Sequence, residues 1–112
     1  MTFRDKLKVT QEEVINLQPG KELDSLVARE VLRIEPEQTK HYSTEILDAW
    51  KVVEKLSGYG WFYLGRGKGN WYATVRDRRI KQGQTTAAPC LTAPEAICKA
   101  ALLALLETRG RR

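Results

Sequence analysis

The fold is decided by the stretch Gly58–Val75, which reads GYGWFYLGRGKGNWYATV. Two runs in it, Trp61–Leu64 and Trp71–Val75, are rich in aromatic and β-branched residues, which favour strands. The glycine-rich segment between them, Gly65–Asn70, is typical of a hairpin connection, because glycine adopts positive φ without steric cost. The stretch therefore predicts two antiparallel strands.

Downstream of the hairpin, the sequence predicts one more strand and a long helix. Arg78–Gly83 has the composition of a second turn, and Thr85–Ala88 predicts a weaker third strand that ends at the following proline. Thr92–Glu95 has the form of a capping box, in which the threonine oxygen accepts from a helical amide. The run Ala96–Leu106 is apolar on nearly all sides and interrupted only by Lys99, which predicts a buried helix, within the domain or against a second subunit.

Three helices are predicted upstream of the hairpin. Thr10 is a suitable N-cap for a short helix over Gln11–Gln18, and a second helix follows over Glu22–Leu32. After a loop at Arg33–Tyr42, Ser43 is the expected N-cap of a third helix that ends at about Ser57. The apolar face of this third helix is formed by residues at spacings of three and four: Ile46, Ala49, Trp50, Val53 and Leu56.

This order of elements predicts an α+β fold. The expected architecture is a small antiparallel sheet of two to four strands, covered by helices on both faces as an α-β-α sandwich, with a buried C-terminal helix. The length of 112 residues suits a single domain over 1–112. Residues 1–9 are expected to be a flexible lead-in and residues 109–112 a frayed basic tail.

Composition narrows the class of protein and its location. Apolar residues make up 42% of the chain, yet no stretch approaches the roughly 20 apolar residues needed to span a bilayer. The first residues, Met1–Lys6, lack the apolar region of a signal peptide. Two cysteines in such a chain indicate reduced thiols, so we expect a cytoplasmic protein with no membrane partner.

The charge of the chain is concentrated in its second half. Residues 1–60 carry nine Lys and Arg against eleven Asp and Glu, a net charge of −2, whereas residues 61–112 carry ten against three, a net charge of +7. Within Trp61–Gly83, six basic residues accompany the single Asp77. This asymmetry favours an anionic partner. The alternative is a basic solvated surface together with the basic tail.

The chain offers few groups for catalysis. His41 is the single histidine, so a metal site built on two histidines is excluded within one chain. Cys90 and Cys98 are eight residues apart, which matches no zinc-binding spacing. A nucleophilic pair of Cys90 and His41 is the remaining catalytic alternative. We therefore expect a protein that is not an enzyme and has no metal and no cofactor.

Aromatic and basic residues alternate along the hairpin. In a strand, alternate side chains face opposite sides, so about half of these aromatic rings are expected in the core and half are free to stack on a base. Arginine pairs with phosphate through two parallel hydrogen bonds. The predicted ligand-binding residues are Arg66, Lys68, Arg76, Arg78 and Arg79 for phosphate, Trp61, Tyr63 and Trp71 for stacking, and Tyr42, Ser43, Thr44 and Thr92 as further contacts.

Three blocks of the sequence carry a resemblance to a known family. Glu22–Ala28, Tyr42–Lys55 and Ala93–Leu102 occur in the order of the corresponding motifs of the phage ABA sandwich domain family, which the chain resembles. The resemblance implies a sheet sandwiched between helices, a bacteriophage or prophage origin and the cytoplasm of a bacterial host; it implies no particular activity. The chain departs from the family pattern in its basic hairpin and at Leu91, where an acidic residue often stands.

These observations favour a binding protein. The leading hypothesis is a phage anti-defence protein that sequesters an anionic nucleotide signal, of the cyclic oligonucleotide or cyclic ADP-ribose type, without cleaving it. Tight capture favours a pocket between subunits, so a homo-oligomer is expected, with the apolar last helix as its interface. The alternatives are a non-specific DNA- or RNA-binding protein, and an inhibitor of a host protein.

Overall fold

The structure is a computed structural model that describes residues 10–58, 60–77, 80 and 84–109, without the side chains of residues 84–89 and 109. The expected lead-in at 1–9 and residues 110–112 of the basic tail lie outside the described residues. The same holds for Arg78, Arg79 and residues 81–83 of the expected second turn.

The hairpin consists of β1 (Gly60–Gly67) and β2 (Asn70–Asp77), which pair antiparallel along their full length. Only Lys68 and Gly69 form the turn, with φ of 55° and 81°. Two consecutive residues with positive φ match the turn whose twist suits a two-residue hairpin. The hairpin is thus confirmed, with a tighter turn and longer strands than the sequence indicated.

A third strand, β3 (Gln84–Cys90), completes the sheet in the order β1-β2-β3. It pairs antiparallel with β2, and the register shifts: Trp71 is opposite Cys90, whereas Ala73 is opposite Ala87. Two steps along β2 therefore correspond to three along β3, which is a β-bulge on β3. The predicted weak third strand is confirmed and extends through Pro89.

The N-terminal helices are short. Helix α1 (Gln11–Asn16) begins with a capping box, in which Thr10 Oγ1 accepts from the Glu13 amide at 3.1 Å and the Thr10 amide donates to Glu13 Oε1 at 2.9 Å. Helix α2 (Lys21–Leu26) continues without interruption as a π-helix over Val27–Leu32. The predicted helix over Glu22–Leu32 is therefore helical throughout, but its second half has the wider winding.

Helix α3 (Ile46–Ser57) begins later than the sequence indicated. Its N-cap is Glu45, whereas Ser43 lies in a turn ahead of the helix, so the prediction that Ser43 caps α3 is wrong. The buried face of α3 consists of Ala49, Val52, Val53 and Leu56. Ile46 and Trp50, which the helical period placed on this face, stay about half exposed.

Helix α4 (Ala93–Arg109) lies at the centre of the molecule, as the sequence predicted. It contacts β2 and β3 on one side, and α1, α3 and the π-helix on its other sides. Its residues from Ala96 to Ala104 are all buried. Because this chain already buries Ala96–Ala104, and Leu105 and Leu106 are partly buried, α4 leaves little apolar surface for a second subunit, which argues against its expected role as the oligomer interface.

The small antiparallel sheet, the α+β class and the buried last helix are confirmed. Phe62, Leu64, Ala73 and Val75 point to the helices and pack against the hydrophobic core. In the part of the chain that the structure describes, α3 and α4 contact this face, and no helix covers the opposite one, on which Trp61 remains exposed. The core therefore lies between the sheet and the helices.

No helix among the described residues is long and apolar enough to cross a membrane.

Candidate functional site

The open face of the sheet carries aromatic and basic side chains together. We call it the outer face and define it by Trp61, Tyr63, Tyr72, Thr74 and Arg76, which the strand alternation places on one side. Trp61 is directly opposite Arg76 in the register, and Tyr63 is opposite Thr74. Trp61 is 68% exposed and Tyr63 49% exposed, and Arg76 is also exposed.

This arrangement can bind a planar, negatively charged group. An exposed indole and phenol ring on neighbouring positions of one strand offer stacking surfaces to a base. The guanidinium of Arg76 stands on the adjacent strand, where it can donate to a phosphate beside the stacked ring. Among the described residues no helix covers this surface, so it is open to solvent above the sheet.

Arg66 and Trp71 lie on the other side of the hairpin. They are directly opposite in the register, and the guanidinium carbon of Arg66 is 5.7 Å from the centroid of a Trp71 ring. This distance fits a cation–π contact. Trp71 is partly buried against the core, and Lys68 occupies the turn. Arg66 and Trp71 therefore face away from the outer face, and Lys68 lies in the turn at the tip of the hairpin.

Tyr42 and Ser43 belong to the core, where they hold the loop ahead of α3. Both are buried. The amide and the hydroxyl of Ser43 each donate to Asp24 Oδ1 at 2.7 Å, and Ser43 Oγ accepts from the Gly20 amide at 2.8 Å. Burial raises the pKa of the Tyr42 phenol above its usual value. These two residues are therefore not accessible to a ligand, and we leave them out of the candidate site.

The remaining predicted contacts are not gathered on the outer face. Thr44 is exposed in the turn ahead of α3. Thr92 is exposed at the start of α4, and its Oγ1 accepts from the Glu95 amide at 3.4 Å, which is one half of the predicted capping box. Arg78 and Arg79 follow β2 immediately in the chain but lie outside the described residues. Of the predicted ligand-binding residues that the structure describes, Trp61, Tyr63 and Arg76 lie together on the outer face.

Both cysteines are free and buried. Burial raises the pKa of the Cys90 and Cys98 thiols, which disfavours the thiolate form that a nucleophile needs. His41 is exposed in the loop ahead of α3, where its amide donates to Asp48 Oδ2 at 3.1 Å. The environment of Cys90 therefore argues against the nucleophilic pair that the sequence left open.

Away from the outer face, a concave surface lies between α1 and α2. This open groove has a volume of about 870 Å³, and its lining includes Glu12, Glu13, Lys21 and Glu22 of the two helices and Arg29 of the π-helix. Three carboxylates against two cations make this groove unfavourable for a phosphate. None of the predicted ligand-binding residues lines it. The outer face is therefore the better candidate for an anionic ligand.

Sequence reasoning missed Tyr72 and Thr74 as members of the outer face. Both are partly buried there, beside the exposed rings of β1. The signal was present, because a two-residue turn at Lys68 and Gly69 fixes which residues of the strands are opposite each other. The sequence indicated a longer connection over Gly65–Asn70, and a connection of that length does not determine which residues of the two strands are opposite each other.

The fold and this surface define a small α+β domain in which one sheet face is left open by the described helices. The chain belongs to the phage ABA sandwich domain family, whose model matches residues 25–102. Among solved structures, the chain is similar to a phage protein from Bacillus cereus ATCC 14579, with 25% identity and a TM-score of 0.60, over 80% of this chain and 93% of that one. The comparison with curated proteins returns no match. The family resemblance that the sequence indicated is thus confirmed.

Proposed function

We propose that this phage protein sequesters an anionic nucleotide signal of the bacterial host on the outer face of its sheet, and releases it chemically unchanged. The ligand class is a cyclic oligonucleotide or a cyclic ADP-ribose isomer. In this proposal the protein acts in the host cytoplasm as a homo-oligomer, and it removes the signal from a defence system by binding alone.

The observation that carries the proposal is the pairing of Trp61 with Arg76 across two strands. A nucleotide combines a flat base with a phosphate, and this pair presents a flat ring next to a guanidinium at the spacing of adjacent strands, about 4.8 Å. Tyr63 extends the stacking surface by one further ring on the same strand. The excess of basic residues in the second half of the chain adds a favourable field for an anion.

The experiment is a thermal-shift screen of the full chain against cyclic di- and trinucleotides and cyclic ADP-ribose isomers. A ligand that binds the folded state raises Tm by an amount that grows with its concentration relative to Kd. The bound ligand is then released by heating and analysed by mass spectrometry. Intact ligand supports sequestration, whereas an altered ligand would identify an enzyme. The absence of any nucleotide-dependent shift would overturn the proposal.

Two variants test whether the ligand binds to the outer face. We expect Arg76→Ala to weaken binding by about 10-fold to 100-fold, because a hydrogen bond to a charged group contributes about 1.5–3 kcal/mol. We expect Trp61→Ala to weaken it by a similar factor, since stacking on one ring contributes about 1–3 kcal/mol. Arg29→Ala is the matched control, because Arg29 is also exposed but lies on the π-helix. Equal affinity of all four proteins would remove the outer face from the site.

Single-stranded nucleic acid is a second candidate, favoured by the exposure of the outer face, which no described helix covers. Non-specific binders of single strands combine stacking rings with a basic surface along which the backbone runs. Such a polymer contacts many phosphates, so its affinity falls steeply with salt, by a slope of about −0.7 per phosphate contact. Titration of the protein with labelled oligonucleotides at several salt concentrations distinguishes this mode from a compact ligand, which carries few phosphates.

A further inference from the structure

Among the described residues, strand β1 is an edge of the sheet, and it is long. It has eight residues, Gly60–Gly67, and within the described part of the chain its only strand partner is β2. Along its other side the backbone therefore presents amide and carbonyl groups in the extended form that a second strand recognises. Proteins guard such edges with proline, lysine or a bulge. None of these occurs in β1, whose single charged residue is Arg66.

The other edge of the sheet differs in two of these respects. Strand β3 contains Pro89, which has no amide hydrogen, and it carries the β-bulge opposite Trp71–Ala73. A proline and a bulge both interrupt the regular spacing of donors that strand pairing requires. Of the two edges, β1 is thus the one that is suited to pairing.

An exposed apolar cluster lies on the helix that packs beneath this edge. Helix α3 contacts β1, whereas α4 contacts β2 and β3, so α3 is the helix nearest to the free edge. Its first two turns expose Ile46, Leu47 and Trp50, and Leu47 is 82% exposed. A partner that pairs with β1 brings its own elements against α3, where these side chains lose water.

We infer that two copies of this chain pair through β1, antiparallel, about a two-fold axis at Tyr63, to form one continuous six-stranded sheet with α3 packed against α3 of the second copy. Two identical edges suit each other because a two-fold interface joins the same surface of both chains. A two-fold axis perpendicular to the sheet keeps the helices of both copies on the same side of the sheet. It also places one residue of β1 directly opposite the same residue of the second copy.

Tyr63 is the residue that best fits the axis. It is central in β1, so the pairing there covers nearly the whole strand. An axis at Tyr63 also places Trp61 of one copy opposite Gly65 of the other. The space around Gly65 is open, because no heavy atom lies within 4 Å of the point that a Cβ would occupy there. A large ring opposite a glycine meets no side chain across the seam.

The pairing makes the outer faces of both copies one surface. Here the inference rests on the proposed function: Trp61, Tyr63 and Arg76 of each copy line a site with two equivalent halves. Such a site suits a ligand that has two equivalent halves itself, that is, a cyclic dinucleotide with two bases and two phosphates. We therefore expect one cyclic dinucleotide for each pair of chains.

The test of the pairing uses the full chain without nucleotide. Sedimentation equilibrium is expected to give twice the chain mass. Tyr63→Cys is expected to form a disulfide-linked dimer on mild oxidation, because directly opposite residues have Cα atoms about 4.5–5.5 Å apart, within the range that a disulfide spans. Trp61→Cys is the control: two such residues are offset by about 13 Å along the seam, too far for a disulfide.

A second pair of variants tests the helix contact. Leu47→Glu is expected to weaken self-association by at least about 10-fold, because two carboxylates then face each other at the interface. Leu91→Glu is the matched control, since Leu91 is 79% exposed but lies between β3 and α4. Circular dichroism verifies that both variants fold.

A monomer at all concentrations overturns the inference, as does a dimer in which Tyr63→Cys does not cross-link or Leu47→Glu has no effect. These outcomes are separable from the proposed function. A dimer that binds no nucleotide contradicts only the proposed function. A monomer that binds a nucleotide contradicts only the pairing, and a dimer that binds two ligands contradicts the shared site.

Discussion

The ammonium of Lys99 on α4 donates to the carbonyl oxygen of Ile15 on α1 at 2.7 Å. The same nitrogen is 2.7 Å from Glu95 Oε2, one helical turn earlier, and both side chains of this ion pair are almost completely buried. One cation thus neutralises a buried carboxylate and satisfies a carbonyl near the end of α1, which ties the first helix to the last.

Lys99→Met is expected to destabilise the fold by about 3–5 kcal/mol, because the substitution leaves the buried Glu95 carboxylate without its cation. Urea unfolding at pH 7 measures the loss. The double variant Glu95→Gln/Lys99→Met is expected to recover part of it, since neither charge then remains. Arg29→Ala is the control: Arg29 pairs with Glu30 at 2.9 Å on the surface, and such pairs contribute about 0–1 kcal/mol. Equal costs at both positions would contradict this account.

The sequence predicted those parts of the fold whose causes are local. The hairpin, the N-cap at Thr10 and the apolar α4 follow from residues close together in the chain. The roles of Ser43 and Lys99 do not, because their partners Gly20, Asp24 and Ile15 are 19 to 84 residues away. The sequence predicted that about half of the aromatic rings of the hairpin stay exposed. It did not predict which ones, because that depends on the strand register and on which face of the sheet the helices cover.

Gly60 is required where β1 begins, because the backbone of β2 approaches it closely. A Cβ at this position would lie 2.0 Å from the carbonyl oxygen of Arg76, a backbone atom that cannot move aside as a side chain does. Gly60→Ala is therefore expected to lower the free energy of unfolding by about 1–3 kcal/mol. Gly65→Ala is the matched control on the same strand and is expected to stay within about 0.5 kcal/mol of the wild type. Thermal unfolding of both variants measures these two changes in stability.

Lys68 adopts a left-handed conformation in the turn, with φ of 55°. Asparagine populates this region more readily than other non-glycine residues, and Asn-Gly is a favoured pair for this turn. Lys68→Asn is expected to stabilise the hairpin by about 0.5 kcal/mol, whereas Lys68→Ala, which removes the same charge without that preference, is expected not to. A higher Tm for the asparagine variant alone supports the conformational cause. Equal gains would instead indicate relief of charge repulsion.

Stability is expected to fall at alkaline pH because of Cys98. Burial raises the pKa of its thiol, so the folded state keeps the proton, whereas the unfolded chain loses it above about pH 8.5–9. The folded state then binds more protons than the unfolded state, and the free energy of unfolding decreases with rising pH. The stabilisation is fully present below the unfolded pKa, and the slope above it is about 1.4 kcal/mol per pH unit. Urea unfolding between about pH 7 and 10 measures this slope, and the pH dependence of Cys98→Ala is expected to be shallower by that amount. Parallel curves for wild type and variant would show that this thiol ionises equally in both states.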